Sequence, residues 1–358
     1  MGSAPRIRFD AALDPHSIEA DGVSGSSPFA PFLAAQGFVL LDGGLATALE
    51  ARGHDLRDPL WSAKVLLEAP DEVRGVHLDY LRAGADCIAT VTYQATFEGL
   101  RARGLGDTAS EAAFRLAVDL ALAARDEFWA EAANRVGRLK PLVAASVGPY
   151  GAYLANGAEY TGDYGFDEEG LEAWHRRRWH LLATSGADLL ACETIPSFAE
   201  ARALLRLLAE TPDRWAWISF QCRDEERLAD ATLLEVAAAH CGGAPGVAAV
   251  GVNCVPPARV ARLLERAREG TRGPLVAYPN SGERYDAVTK SWAVGDDAED
   301  PALAAPAWRA LGAAVLGGCC RTGPDTIARM RGALIADARR RGARSGEEVG
   351  LPTSSAPE

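Results

Sequence analysis

The chain has 358 residues, 49 of them acidic and 37 basic, for a formal net charge of −12. That excess of carboxylates argues against a nucleic-acid partner, whose phosphates need lysine and arginine, and it favours a cationic small ligand over an anionic one. No stretch offers about 18 uninterrupted apolar residues and the first ten residues lack an apolar leader core, so neither membrane spanning nor secretion is expected; seven cysteines without even spacing read as reduced thiols and point to the cytoplasm.

Residues 1–36 are mixed, with Ser24-Gly25-Ser26-Ser27 and several prolines, and read as an irregular arm. Apolar runs of strand length then recur at 38–41, 87–93, 142–147, 189–192, 215–220, 247–252, 275–278 and 313–316. Between them lie stretches with helical spacing of Leu and Ala and with charged faces, such as 107–133, 168–185, 197–210 and 257–269. Strand alternating with helix implies parallel pairing through right-handed crossovers. Eight such strands predict an α/β fold, a (β/α)8 TIM barrel over residues 37–341; a doubly wound open sheet is the alternative that periodicity leaves open. From Gly342 the composition turns to Ser, Gly, Glu and Pro, which predicts a flexible tail over 342–358.

In a barrel of this kind the active site forms where the strands end, so the residue closing each apolar run carries the functional signal. Those residues are Asp42-Gly43-Gly44, Thr92-Tyr93-Gln94, Ser146 to Tyr150, Cys192-Glu193-Thr194, Gln221-Cys222, Asn253-Cys254, Tyr278 to Gly282 and Gly318-Cys319-Cys320. Asp42 and Glu193 are acceptors suited to an ammonium group; the competing reading makes them helix caps. Thr92 and Gln94 face one way if their strand continues, and would then line the pocket. Tyr93, Tyr150 and Tyr153 offer ring faces to a sulfonium or ammonium, or merely pack. The histidines are scattered and none has a metal ligand's spacing; HExxH, GxSxG and P-loop patterns are missing.

Adjacent side chains on a strand point to opposite faces. For Cys319 and Cys320 to serve one site their strand must already have ended, and Gly317-Gly318 would supply the backbone freedom to turn both sulfurs inward. Cys254 ends another run, and Pro256-Pro257 then close the strand and open a helix. Three thiolates are one short of a closed structural zinc site and leave a fourth position for water or substrate. The plainer alternative is that these cysteines fill core space as small hydrophobes.

Taken in order, Asp42-Gly43-Gly44-Leu45-Ala46-Thr47, Trp61-Ser62-Ala63, Tyr93-Gln94-Ala95-Thr96, Ser146-Val147-Gly148-Pro149-Tyr150-Gly151, Cys192-Glu193-Thr194, Gly251-Val252-Asn253-Cys254, Tyr278-Pro279-Asn280-Ser281-Gly282 and Gly317-Gly318-Cys319-Cys320-Arg321 closely resemble the homocysteine S-methyltransferase family. The resemblance runs from about residue 38 to 330. It implies a (β/α)8 barrel holding one Zn2+ on Cys254, Cys319 and Cys320, with Asp42 and Glu193 at the amino group of homocysteine; Gly43, Thr92 and Gln94 are expected at the substrate from their places at the strand ends. It also implies methyl transfer from a sulfonium donor, S-methylmethionine or S-adenosylmethionine, to the homocysteine thiol. Betaine-using members carry a tyrosine where this chain has Gln94; betaine or selenocysteine chemistry, and a non-catalytic barrel with structural zinc, remain as alternatives. Cobalamin-dependent methionine synthases share a related module, but Asp14-Pro15-His16 lacks the glycine of a cobalamin signature. Small-molecule substrates are the expected partners, with neither nucleic acid nor membrane.

Overall fold

The computed structural model describes residues 25–56, 62–286, 291–293 and 299–345. Eight parallel strands, β1 (Val39–Leu40), β2 (Cys87–Ala89), β3 (Leu142–Val147), β4 (Leu189–Ile195), β5 (Ala216–Phe220), β6 (Val247–Asn253), β7 (Leu275–Tyr278) and β8 (Ala313–Leu316), alternate with helices. They pair in the order β1-β8-β7-β6-β5-β4-β3-β2, and a parallel bridge from Leu41 to Cys87 joins the two ends. The fold is therefore the (β/α)8 barrel, and the open sheet is excluded. Among the described residues no helix is long and apolar enough to cross a membrane, and all seven cysteines are free thiols.

The β1–β2 seam has little ladder, and Asp86 completes it. Its buried carboxylate accepts from the Leu40 amide at 3.0 Å and the Gln36 side chain at 2.7 Å, and it pairs with Arg331 at 3.0 Å. Along each strand the side chains alternate between two packed layers. Val39, Leu41, Cys87, Ala144, Leu189, Ala191, Trp217, Val276 and Val315 fill the barrel interior. Leu40, Ile88, Val143, Leu190, Ile218, Val250 and Leu316 face the helices. Runs apolar on both faces are what a strand covered on both sides requires.

Helices occupy the expected stretches with ends shifted by a few residues: Asp107–Ala130, Glu168–Ala183, Phe198–Ala209 and Pro257–Gly270. The second and third start from Asp167 and Ser197, whose side chains accept from Gly170 and Glu200 amides.

The irregular arm expected over 1–36 departs from expectation in its described part, because Ala30–Gln36 is a helix. It positions Phe29 and Phe32 inside the barrel cluster, where the Phe29 ring lies 6.0 Å from that of Trp217. Burial of two phenylalanines organises a segment whose local composition suggests none. Phe29→Ala should lower unfolding free energy by about 3–5 kcal/mol, read as an earlier urea midpoint with unchanged slope; an unchanged midpoint would make the plug dispensable. The last helix, Pro324–Ser345, runs past the expected tail boundary at 342, and residues 1–24 and 346–358 lie outside the described residues.

His77, on the helix Pro70–Ala83, is fully buried, and neither ring nitrogen has a hydrogen-bond partner. Burial lowers its pKa to about 4. The unfolded chain takes up the proton first as pH falls below about 6.5, so this residue's contribution is intact above that pH and is lost toward pH 4. His77→Leu should therefore lose less stability than the parent between pH 7 and pH 4, by about 3 kcal/mol in denaturant titrations. Equal losses would show that His77 finds a partner in solution.

Candidate metal and substrate site

At the C-terminal mouth of the barrel, β6 ends on Asn253 and Cys254 follows with φ of +53°. This left-handed backbone is costly for a residue with a Cβ and is held by its surroundings. The Cys254 amide donates to Tyr278 O at 3.1 Å, and Asn280 Nδ2 donates to Cys254 O at 3.3 Å. After β8 the chain turns inward, with Gly318 N on Asp42 O at 3.0 Å and Cys319 N on Pro279 O at 2.8 Å. Gly317 and Gly318 act here through lack of bulk, a role different from the backbone freedom expected of them. A Cβ on Gly317 would lie 2.6 Å from that of Leu41, and one on Gly318 would lie 2.1 Å from Thr322 Oγ1. The positive φ falls instead on Arg321, at +63°.

These turns bring Cys254, Cys319 and Cys320 together, with all three sulfurs within 4.8 Å of one another and Cys254 Sγ 3.7 Å from Cys320 Sγ. They form the one group of three or more potential metal ligands among the described residues. Tetrahedral zinc with Zn–S of about 2.3 Å sets its sulfurs roughly 3.8 Å apart, so the cluster fits such an ion. Hydrogen bonds from Cys319 and Cys320 hold the Cys254 thiol well below its usual range, while sharing with Cys254 pushes the other two well above theirs. Asn253 fixes the rim: its Oδ1 accepts from Thr194 N at 2.7 Å, and its Nδ2 donates to Thr194 Oγ1 at 2.8 Å and approaches Cys319 Sγ at 3.8 Å.

The cavity over the sulfurs is lined by Asp42, Gly43, Gln94 and Glu193, with Tyr93, Tyr160 and Glu159 among the other walls. Asp42 Oδ2 accepts from Ala89 N at 2.8 Å. Burial raises this carboxyl well above the usual range. Glu193, pushed up to about 7 by burial, accepts from the Ser146 hydroxyl and from Tyr278 OH at 3.3 Å. Neither acid makes an ion pair within the described residues, and neither caps a helix. Gly44 occupies the N-cap of Leu45–Ala51, and Glu193 lies within β4.

Thr92 departs from expectation. β2 ends at Ala89, so the alternation that would have aimed Thr92 and Gln94 together does not continue. Thr92 is fully buried outside the cavity wall, its hydroxyl donating to Ser146 O at 2.6 Å and lying 2.7 Å from the Thr90 hydroxyl, and Thr90 lines the cavity instead. Threonine hydroxyls bond readily to nearby backbone once a strand stops. Tyr150 packs with Tyr153, Tyr164, Phe166 and Trp174 outside the cavity. Glu159 and Tyr160 belong to a short 3-10 turn, Ala158–Tyr160, where the sequence carries no periodicity or motif to mark them.

A parallel barrel gathering three thiols and two acids toward the C-terminal ends of its strands defines an enzyme built around a cysteine cluster that can hold a metal. The model of the homocysteine S-methyltransferase family matches residues 39–334, and the chain belongs to that family of methyltransferases. A homocysteine S-methyltransferase of Escherichia coli (strain K12) is 49% identical over 310 residues, covering 86% of this chain and 99% of its own length. A selenocysteine methyltransferase of Astragalus bisulcatus is 43% identical, covering 80% of this chain and 90% of its own. The crystal structure of an Escherichia coli homocysteine methyltransferase in its metallated form superposes with a TM-score of 0.77 at 46% identity, over 86% of this chain and 99% of that one.

Proposed function

We propose that this enzyme transfers a methyl group from a sulfonium donor, S-methylmethionine or S-adenosylmethionine, to the thiol of L-homocysteine, with Zn2+ held by Cys254, Cys319 and Cys320. The observation that carries the reading is the meeting, in one cavity, of three sulfurs within 4.8 Å of one another with two carboxylates that make no ion pair among the described residues. Zinc on three thiolates supplies a Lewis acid that keeps an amino-acid thiol ionised near neutral pH, well under its usual pKa of about 8.5.

Asp42 and Glu193 accept N–H bonds from the homocysteine ammonium, which replaces the missing cation and orients the thiol toward the cysteines. Ser146 and Tyr278, already bonded to Glu193, fix which way its oxygens point. The homocysteine sulfur donates an electron pair to the methyl carbon as the carbon–sulfur bond of the donor breaks, and that bond's pair stays on the donor sulfur as a neutral thioether. The donor's positive charge vanishes in this step, so a carboxylate against the sulfonium would stabilise the ground state over the transition state. The ring faces of Tyr93 and Tyr160 attract the cation more weakly and suit that position. A selenol acceptor would occupy the same place as the thiol.

Purified protein should carry about one zinc per chain and should form methionine from homocysteine with S-methylmethionine or S-adenosylmethionine, at rates well above those with betaine. Methyl transfer from betaine alone, or from no donor, would overturn the reading.

A further inference from the structure

Two cavity residues are left unused by that account, and both present hydrogen-bond acceptors without donors. Gln94 Nε2 donates to Ala152 O at 2.9 Å, which fixes the orientation of the amide, because the reverse orientation would set oxygen against oxygen. Its Oε1 is consequently an acceptor, buried and unpartnered. Glu159 Oε2 is likewise buried and unpartnered. Both residues line the cavity that holds the three cysteines. The turn bearing Glu159 is clamped in place, since a Cβ on Gly151 would lie 2.5 Å from the Glu159 amide nitrogen. Glu159 shares that cavity wall with Tyr93, Tyr160 and Cys254.

We propose that Glu159 and Gln94 form a second ammonium subsite, which binds the α-amino group of the methyl donor and selects amino-acid sulfonium donors. The inference rests on the methyl-transfer reading above and deepens it. Two molecules meet in the cavity, and each carries an ammonium under that reading; the strand-tip acids Asp42 and Glu193 serve the acceptor, while the loop residues Gln94 and Glu159 serve the donor. A carboxylate is harmless at this position. The ammonium keeps its charge throughout the reaction, so the contact strengthens ground state and transition state alike and lowers KM with little effect on kcat. A primary ammonium has three N–H donors for these oxygens. A trimethylammonium or a sulfonium acid without an amino group has none, and it would leave both acceptors buried and unpaired.

The test compares zinc-loaded wild-type protein with Glu159→Gln and Gln94→Leu, using homocysteine as acceptor and two donors: S-methylmethionine, and 3-dimethylsulfoniopropionate, which lacks the amino group. The latter is followed by its rate, or by its inhibition constant against S-methylmethionine if turnover is too slow. Glu159→Gln should lose about 10- to 100-fold in kcat/KM for S-methylmethionine, nearly all of it in KM, and Gln94→Leu about 3- to 10-fold. Values for the des-amino compound, zinc content and KM for homocysteine should stay within about twofold. Equal losses on both donors, a raised KM for homocysteine, or no change in either variant would overturn the subsite. Failure of the wild-type protein to methylate homocysteine with any sulfonium donor would instead overturn the parent reading.

Discussion

Alanine at Cys254, Cys319 or Cys320 is expected to remove zinc from the protein and to lower kcat/KM by well over about 100-fold, beyond what loss of a residue that merely orients a ligand costs. The expectation follows from the donor set. Two sulfurs hold a metal far less well than three, and without the metal the substrate thiol is mostly protonated at pH 7. The barrel should survive each change. Its interior is filled lower down by Trp217, Leu189, Val276 and their neighbours, and the cysteines sit above that packing at the strand tips. Metal analysis and circular dichroism on the same samples separate the two effects. A single mutant that keeps full metal and activity would remove that cysteine from the site.

The second large effect falls on the carboxylates. Asp42→Asn and Glu193→Gln should each raise KM for homocysteine about 10- to 100-fold, corresponding to the ~1.5–3 kcal/mol of a hydrogen bond to a charged group. Both replacements keep the side chain's size. Asp42→Asn has an added structural cost, because the Ala89 amide donates to Asp42 Oδ2 and an amide nitrogen there would repel it unless the side chain turns. Glu193→Gln is the cleaner probe, since its amide oxygen can still accept from Ser146 or Tyr278. An unchanged KM in both variants would assign these acids a purely structural role.

Strand tips were legible in the sequence because their chemistry interrupts apolar runs: Asp42 after Val39-Leu40-Leu41, Glu193 after Leu189 to Cys192, and Cys254 after Val252-Asn253. In a parallel barrel those interruptions collect at one end, so finding the runs amounts to finding the cavity. Thr92 misled because the apolar run 87–93 outlasts the strand, which stops at Ala89 where threonine hydroxyls bind backbone. Glu159 and Tyr160 could not be found in this way. They lie in a turn whose place over the sulfurs depends on Gly151 admitting a neighbouring backbone at close range. Phe29 and Phe32 escaped for a related reason, since only tertiary burial gives that short segment its helix. The glycines before Cys319 were noticed for freedom of φ, whereas the structure needs their small size, a distinction that depends on what sits opposite.

A metal gripped by the three protein sulfurs is expected to keep a position which the substrate thiol enters. X-ray absorption at the zinc edge tests it most directly, on protein alone and after addition of homocysteine. The expected result is a shell of three sulfurs and one lighter atom that becomes four sulfurs at about 2.3 Å when homocysteine is present. A shell of four protein ligands that homocysteine leaves unchanged would contradict the account.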